Sequence, residues 1–365
     1  MNTPMPQLLK MRRCWQHGLS LIELMVAMTI GSVLIYGATQ VYVNSRNAYG
    51  ANEGVARMQE TARYAMDVIE PDVRMSNFWG LLKGGGVIAN QAAQTAGPAA
   101  VAPGAAVNIC GTNFAVDLST NLQGDNTNYT LSATRQPGCN SLIDLDTGVA
   151  WNTTPVTTAD TLTVRRASVF TAVPTANVLQ VCTSRVAGTL LSNGIACTPA
   201  PVGQLSNLIV DSYYIDRNST EAAGVPALRR KTLSSGGVLQ FADQEIISGV
   251  EDMQIQFGID PFGNTGSASR YVNPDGVPAN AQIVAVRVWL LVRDDTAEGG
   301  FTDNRIYEYG DRLQVTGVTG DLNNAASAGM AYQPSLNPDA TVTGARHVRR
   351  LLISRTILVR NALGT

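Results

Sequence analysis

The feature that most constrains this sequence is an apolar run from Gly18 to Val43, in which Glu23 is the single charged residue. After Glu23 the next charged residue is Arg46, so residues 24–45 are uncharged. As an α-helix this uncharged stretch would extend about 33 Å, at a rise of about 1.5 Å per residue. The hydrocarbon core of a bilayer is about 30 Å thick, so the run predicts a helix that can cross a membrane.

The charges around this run predict its orientation. Residues 1–18 contain the basic residues Lys10, Arg12 and Arg13 and no acidic residue. By the positive-inside rule, residues 1–18 lie in the cytoplasm and residues 44–365 lie on the other side of the membrane. The chain has a formal net charge of −2, which becomes −5 without those three basic residues. Because nucleic-acid binding depends on basic residues, we do not expect nucleic acid as a partner.

The apolar run opens with Gly18-Leu19-Ser20-Leu21-Ile22-Glu23-Leu24, directly after the basic segment. This arrangement resembles the leader junction of type IV prepilins and type II secretion pseudopilins. In these families a prepilin peptidase cuts after the glycine and methylates the new amino terminus. The resemblance therefore implies cleavage between Gly18 and Leu19 and N-methylation of Leu19. Leu19 stands where the family usually has phenylalanine, and it keeps that position apolar.

Glu23 requires an explanation because an ionised carboxylate in the middle of a membrane helix costs about 2.5–3.5 kcal/mol. Cleavage after Gly18 would create a positively charged amine on Leu19, with an ordinary pKa of about 8. In the pilin family the equivalent glutamate of one subunit is thought to neutralise the amine of a neighbouring subunit. The resemblance therefore implies that Glu23 recruits and registers the subunit during assembly.

Beyond the apolar run, the sequence has the pattern of an amphipathic helix. Apolar residues recur at three- and four-residue steps, at Val55, Met58, Ala62, Ala65 and Ile69. We predict one helix from Leu19 to about Glu70, which continues past Pro71 to Met75.

Strand patterns dominate the rest of the chain. They predict strands at residues 160–169, 178–183, 207–215, 227–233, 238–241, 246–259, 282–292 and 348–359. Because one long helix precedes a meander of strands, the sequence predicts an α+β fold in which the helix packs on an antiparallel β-sheet.

We divide the chain into five segments by their composition. They are a leader peptide (1–18), the membrane half of the helix (19–43), its amphipathic half (44–78), a loop-rich insertion with short strands (79–206) and a carboxy-terminal antiparallel β-sheet region (207–365). Within the insertion, residues 81–204 resemble nothing that we can name, so an individual function is expected there.

Four stretches carry a further resemblance: LRRKTL, ISGVEDMQIQFGID, VAVRVWLLVR and RRLLISRTILVRNAL. They are similar to the carboxy-terminal half of PilW-type minor pilins and of the related minor pseudopilin J, which implies a type IV pilin-like fold. The implied function is that of a minor pilin, without catalytic activity or cofactor, which primes or caps a type IV pilus at its tip. The implied partners are the major pilin, other minor pilins, a tip-associated adhesin, the prepilin peptidase and the inner membrane.

The implied localisation is the bacterial inner membrane, crossed once with the carboxy-terminal domain in the periplasm, and later the pilus on the cell surface. Two alternatives stay open. One is a minor pseudopilin of type II secretion, and the other is an adhesin or DNA-uptake module that a pilus displays. Neighbouring genes distinguish the pilus from secretion, and a binding screen tests the displayed module.

The cysteines predict disulfide bonds on the far side of the membrane. Cys110, Cys139, Cys182 and Cys197 all follow the apolar run, and an even number of cysteines in an oxidising compartment suits two disulfides. Three pairings are possible, and the sequential one, Cys110 with Cys139 and Cys182 with Cys197, closes the shortest loops. Four buried free thiols are the alternative. A metal site is not expected, because no Cys-x-x-Cys pair occurs and His17 and His347 are the two histidines.

No catalytic residue is expected, because the chain has neither a Gly-x-Ser-x-Gly nucleophile motif nor a metalloprotease histidine pair. The acidic residues Asp260, Asp275, Asp294, Asp295 and Asp303 fall in predicted loops and are interpreted as solvated. The basic residues Arg346, Arg349, Arg350, Arg355 and Arg360 surround the last strand. We interpret them as a charged strand edge that opposes aggregation.

Overall fold

The computed structural model describes residues 20–91, 114–126, 141–143, 150–152, 154–156, 158–197, 203–221, 223–234, 240–263, 265–313, 329–334 and 345–362. Gly18, Leu19, Cys110 and Cys139 therefore lie outside the described residues. The chain forms two compact units, Met1–Glu53 and Gly54–Thr365.

One long helix, α1 (Leu21–Met75), runs through the amino-terminal part of the chain and includes Pro71, as the sequence pattern predicts. After its last turn, Asn77 has a φ of 60°, and the Ser76 hydroxyl donates to the Val73 carbonyl oxygen at 2.9 Å. A left-handed residue just past a helix is a common way to end it, because it turns the chain out of the helical path.

The described residues also form short 3-10 helices and sixteen strands. The 3-10 helices include Gly85–Val87, Pro274–Gly276 and Ala345–His347. The strands are β1 (Phe78–Trp79), β2 (Leu82–Lys83), β3 (Ile88–Ala89), β4 (Leu122–Asp125), β5 (Ser141–Ile143), β6 (Ala150–Asn152), β7 (Thr161–Thr171), β8 (Ala176–Thr183), β9 (Gly188–Asn193), β10 (Gln204–Asp216), β11 (Ala227–Ser234), β12 (Gln240–Ser248), β13 (Val250–Asp260), β14 (Arg270–Val272), β15 (Gln282–Arg293) and β16 (Arg350–Leu358).

The larger sheet is built around β10, the longest strand. One of its edges pairs with β8 through Gln204–Asn207 and with β11 through Asp211–Asp216, while its other edge pairs with β7. The strand order is β12-β11-β10-β8-β9-β3, and β4 extends the sheet beyond β7. Its described pairs are antiparallel except for β3 with β9, which is parallel. The smaller sheet has the antiparallel order β14-β13-β15-β16.

The predicted strand over residues 246–259 is wrong, because the chain breaks it at Gly249. Gly249 has a φ of +84°, and an added Cβ would lie 3.1 Å from the Arg293 carbonyl oxygen. Strand β12, before the glycine, pairs with β11 in the larger sheet, whereas β13, after it, pairs with β15 in the smaller one. Gly249 is therefore the point at which the chain passes between the two sheets. In place of the single antiparallel sheet of the prediction, the described residues form these two sheets and two separate two-stranded pairs, β1 with β2 and β5 with β6.

The described part of residues 79–206 is continuous with the larger sheet. Its two long strands, β7 and β8, pair directly with β10, and β10 itself crosses the proposed division between residues 206 and 207. That division consequently describes a change of sequence character rather than a break in the sheet.

Two hydrophobic clusters lie against the two faces of β10. Tyr213 and Ile215 belong to the first cluster, and Val210 and Tyr214 belong to the second. This alternation follows from the two-residue period of a strand. The first cluster also contains the buried apolar residues of α1 from Met58 to Val73, together with residues of β13 and β15. The carboxy-terminal part of α1 is thus a core element of the domain, as its apolar spacing predicts.

The disulfide between Cys182 and Cys197 fastens a crossover connection. Strands β9 and β10 are both antiparallel to β8, which lies between them, so the connection from β9 to β10 must pass across β8. Cys182 is in β8 and Cys197 is in that connection, and their Cα atoms are 5.4 Å apart. The bond therefore attaches the crossover to the strand that it crosses, and it is the pairing that the sequence favours.

Replacing Cys197 with serine is expected to lower the free energy of unfolding by about 3 kcal/mol, because the unfolded chain is no longer constrained by this short loop. Chemical denaturation of the full chain in detergent measures the change. Cys182→Ser, which breaks the same bond from its other end, should give a similar loss. A loss below about 0.5 kcal/mol in Cys197→Ser would show that the bond does not hold the crossover.

Candidate functional site

The candidate functional site is α1 itself, and its first turn is capped. Ser20 precedes the helix, and its hydroxyl accepts a hydrogen bond from the Glu23 backbone N–H at 3.4 Å. The Ser20 carbonyl oxygen accepts from the Leu24 N–H at 3.1 Å. Ser20 is therefore an N-cap, and Ser20 with Glu23 has the S-x-x-E spacing of a capping box. This signal can be read from the sequence, and it marks the start of the helix.

The apolar surface of α1 is open in the isolated chain. Its large apolar side chains from Leu21 to Val43 are 44–79% exposed, and none of the most apolar stretch is buried. The hydroxyls of Thr29, Ser32 and Thr39 donate to carbonyl oxygens of the same helix at 2.8–2.9 Å. These polar groups therefore need no partner from outside the helix. Length and composition make α1 able to cross a membrane.

From Gly54 onward one face of α1 is buried. The buried residues are Gly54, Met58, Ala62, Ala65, Met66, Ile69, Asp72 and Val73. At Gly54 the carboxylate of Asp294 occupies the space into which a Cβ would project, so this side chain lies directly on the helix. Arg57, one turn later, lies 3.7 Å from the same carboxylate. The loop after β15 is thus placed directly against the helix.

Asp72 links the helix to the larger sheet. Its carboxylate accepts from the Tyr213 hydroxyl at 2.5 Å and from Arg166 Nη2 at 2.7 Å. Burial, followed by repulsion from Asp72, raises the pKa of the nearby Asp211 to about 6. A polar group that is buried in a core must be hydrogen-bonded, so this cluster fixes which turn of α1 faces β7 and β10.

The end of α1 is held by the segment after β16. The Arg360 N–H donates to the Arg74 carbonyl oxygen at 3.2 Å, and Asn361 Nδ2 donates to the Ser76 carbonyl oxygen at 3.3 Å. In return, Asn77 Nδ2 donates to the Asn361 carbonyl oxygen at 2.9 Å. These bonds satisfy carbonyl groups that a helix end leaves without partners, and they join the end of the helix to the end of the chain.

The interpretation of the carboxy-terminal arginines as a charged strand edge is wrong for Arg350, although β16 is an edge strand of its sheet. Arg350 is buried, with Nε 2.5 Å from Glu251 and Nη1 3.2 Å from Asp303. Although burial opposes it, Arg350 lowers the pKa of Glu251. Arg349 is partly exposed and lies 2.7 Å from Glu298.

Arg355, which lies further along β16, also pairs with carboxylates. It contacts Asp67 at 3.1 Å and Glu70 at 2.5 Å, both on α1. Three of the five arginines, Arg349, Arg350 and Arg355, are therefore paired with carboxylates within the domain, whereas Arg346 and Arg360 are exposed.

The interpretation of the loop acids as solvated holds for Asp275 and Asp295 but is wrong for Asp260, Asp294 and Asp303, which are buried. Asp260 accepts from the Thr265 hydroxyl at 2.8 Å and from backbone N–H groups of the turn after β13. The hydrogen bond from the Thr265 hydroxyl lowers the pKa of Asp260 to about 2. Burial opposes this shift, and the backbone donors add to it. Because hydrogen-bond donors surround this carboxylate, it organises a turn and is not set up to ligate a cation.

A second buried charge cluster lies between β11 and β12. Arg229 Nε donates to Asp243 at 2.5 Å, and the Tyr214 hydroxyl donates to Asp243 at 2.6 Å. Lys231 is buried beside them, with its Nζ atom 5.1 Å from the centre of the Tyr214 ring. Burial lowers the pKa of Lys231 to about 7, against the attraction of Asp243.

The described residues show no cluster of three or more histidine, cysteine, aspartate or glutamate side chains that could hold a metal ion. His347 lies in a 3-10 helix with Nδ1 2.5 Å from the Phe301 carbonyl oxygen. Catalysis would require a nucleophile and a base in reach of each other, and the buried acids named above are bound to arginine, tyrosine or backbone N–H groups instead.

Comparison with known families finds two matches, one around the start of α1 and one in the carboxy-terminal part of the chain. Residues 212–361 match the family described as Type IV Pilus-assembly protein W, and residues 16–39 match the Prokaryotic N-terminal methylation motif. Two separate parts of the chain are therefore similar to type IV pilus proteins, and the longer match covers 150 of the 365 residues. No curated protein matches it. A solved structure, the type IV-like pilin TTHA1219 from Thermus thermophilus, is similar over 57% of this chain and 81% of its own, with 12% identity and a TM-score of 0.26.

The two matched regions coincide with the two parts of the site. The methylation motif covers the capped first turn of α1 and most of its open apolar surface, which associates the chain with a membrane and with the type IV pilus. The PilW region runs from β10 to the segment after β16, and it contains both Glu251 and Arg350. The family that this region matches is described as a pilus-assembly protein.

Arg350→Met is expected to lower the free energy of unfolding by about 3–5 kcal/mol, because it removes the hydrogen-bonded cation that Glu251 and Asp303 share in the core. The neighbouring Arg349→Met is the matched control, and it should cost less than about 1 kcal/mol because that pair is partly solvated. Chemical denaturation of both variants measures the difference. Equal losses in the two variants would contradict this assignment.

The contribution of Lys231 to the free energy of unfolding is expected to rise with pH between about 7 and 9.5. An unfolded lysine titrates near 10.4 and the folded Lys231 near 7, so the unfolded state binds more protons in this range. Lys231→Met should remove up to about 1.4 kcal/mol of that rise per pH unit. The exposed Lys83→Met is the control and should leave the slope unchanged. Identical slopes in the wild type and Lys231→Met would disprove the shift.

Proposed function

We propose that this protein is a minor subunit of a type IV pilus, held in the inner membrane by α1 before assembly and placed at or near the tip of the filament. The observation that carries the proposal is that one helix passes through two different environments. Large apolar side chains are open up to Val43, whereas from Gly54 the helix is part of a folded core. A helix that is apolar on all sides needs either lipid or other helices around it.

We assign the leader to residues 1–18, the cut to the bond between Gly18 and Leu19, and the methylation to the amine of Leu19. The match to the N-terminal methylation motif over residues 16–39 supports this assignment. The capped start of α1 at Leu21 supports it as well, because the helix begins two residues after the new amino terminus would be formed.

Glu23 is proposed to pair with the amine of a neighbouring subunit in the filament. Its side chain lies on an otherwise uncharged apolar segment, where a carboxylate is stabilised by a cation in its surroundings. An amine released by cleavage supplies that cation when helices pack side by side. The small residues Gly31 and Gly37 have open space around them and permit such packing.

The carboxy-terminal domain is proposed to lie in the periplasm before assembly. The Cys182–Cys197 disulfide supports this placement, since such bonds persist in oxidising compartments. The partners we propose are the major pilin, other minor pilins, a tip-associated adhesin and the prepilin peptidase. Deleting the gene and scoring piliation and type II secretion separately tests the function: piliation should fall, and a loss of secretion with normal pili would refute the proposal.

Glu23→Gln is expected to leave the protein inserted in the membrane but to reduce its incorporation into pili by more than about tenfold. Glutamine keeps the capping position, so this variant removes the charge and retains the helix start. Losing a desolvated ion pair costs well over the about 1.4 kcal/mol that a tenfold effect requires.

Immunoblots of membrane fractions and of sheared pili measure the two outcomes of this experiment. Glu53→Gln, in the same helix but outside the apolar run, is the control and should incorporate normally. Normal incorporation of Glu23→Gln, or equal defects in the two variants, would exclude the proposed role of the charge.

A further inference from the structure

The carboxy-terminal unit contains an open cleft of about 720 Å³. One wall is formed by residues 119–124, which lead into and form most of β4, and the opposite wall is formed by residues 277–283, which lead into β15. Its volume falls within the range of small-molecule binding sites. The cleft reaches Asn77, just past the end of α1, but it contains none of the residues that we assign to assembly.

We propose that this cleft binds a neutral carbohydrate. The proposal rests first on the chemistry of the lining. Among the described residues that line the cleft, none carries a charge, whereas amides and hydroxyls recur as Asn77, Ser119, Thr120, Asn121, Gln123, Asn280 and Gln282. An amide both donates and accepts hydrogen bonds, as a sugar hydroxyl does, so the two groups match. A charged ligand would lose its hydration without gaining a counter-charge.

The wall at residues 119–124 is fixed by a buried arginine. Arg165 is fully buried, and its Nη1 donates to the Thr120 carbonyl oxygen at 2.8 Å. Its Nη2 donates to Gln123 Oε1 at 2.9 Å and to the Phe114 carbonyl oxygen at 2.8 Å. Since Arg165 holds the oxygen of the Gln123 amide, the amide nitrogen is the group that Gln123 can offer to a ligand. A site whose polar groups are held in place in this way binds without a large cost of ordering.

The opposite wall presents a hydrogen-bond acceptor that has no partner. The Oε1 atom of Gln282 is buried from solvent and has no hydrogen-bond partner within the described structure. Gln282 lines the cleft beside Gly263. A buried polar atom of this kind is costly unless a donor reaches it. A rotation of the half-buried Gln282 side chain toward the cleft would let a ligand hydroxyl supply such a donor.

An aromatic ring stands at the rim of the cleft. The Phe262 side chain is 83% exposed, although a phenylalanine in this turn could be buried against the sheet. Asp260 holds the turn by accepting from the backbone N–H groups of Phe262 and Gly263, both at 3.2 Å. The turn is therefore rigid where it carries the ring. An exposed ring beside neutral polar groups suits the apolar C–H face of a sugar.

Close packing beneath the cleft keeps it open. At Gly124 an added Cβ would lie 2.7 Å from Ile255 Cδ1 and 2.9 Å from the Phe257 ring, so β4 lies directly on the core at this point. Phe257, which is itself buried, forms the base of the cleft. The base is thus apolar and the walls are polar, which is the usual division of labour in a small-molecule site.

The experiment uses the full chain in a zwitterionic detergent, because detergents with sugar headgroups would compete for the cleft. The chain is applied to an array of neutral oligosaccharides and of sialylated and sulfated glycans. Neutral glycans should be retained and the charged ones should not. Retention of no neutral glycan, or of charged glycans alone, would overturn the proposal.

Calorimetric titration of the strongest neutral glycan then tests the assigned residues. Phe262→Ala and Gln282→Ala should each weaken binding about tenfold or more. Phe170→Ala is the matched control, because Phe170 is 78% exposed but does not line the cleft, and it should bind like the wild type. The Phe262 side chain is exposed and does not support the fold. Unchanged glycan affinity in Phe262→Ala would therefore show that the cleft is not the binding site. Piliation should be normal in this variant, so failure here is separate from failure of the assembly role.

Discussion

The burial of one stripe of α1 is the interaction on which the rest of the described fold depends. Six apolar residues from Met58 to Val73 share a single core with β13 and β15. Each such side chain contributes about 1.5–3 kcal/mol when it is removed from water. Asp72 then sets the register, because its carboxylate has to meet both Tyr213 and Arg166. A helix that was free to rotate could not satisfy the apolar stripe and this buried charge at the same time.

Ion pairs between residues that are far apart in the sequence add to the apolar packing. Arg350 joins β16 to Glu251 of β13 and to Asp303, and Arg312 joins its own loop to Asp252 of β13. Such pairs contribute little net energy compared with apolar substitutes, but breaking one of them is costly. They therefore select one arrangement of the loops that follow β15, on which the outer surface of the smaller sheet depends. The PilW-matched region contains both pairs.

Periodic patterns made part of this structure predictable from sequence. The apolar stripe of α1 repeats every three or four residues, and most strands alternate, so helix, strands and fold class could be read directly. Gly249 could not be recognised as a break between sheets, because the apolar pattern continues on both sides of it. The pairing of Arg350 with Glu251 was also hidden, since these residues are 99 positions apart and nothing local links them. The cleft could not be predicted from the sequence for the same reason, because Gln123, Phe262 and Gln282 meet only in the folded chain.

Hydrogen exchange of the full chain in lipid nanodiscs tests the central claim, that the outer part of α1 is a core element and the inner part is a membrane segment. Amides of Met58–Val73 should exchange only through global unfolding, at the rate of the amides in β13 and β15. Those of Leu21–Val43 should be protected by the bilayer and should lose that protection when the lipid is removed. Exchange of Met58–Val73 that is clearly faster than that of β13 and β15 would contradict the account.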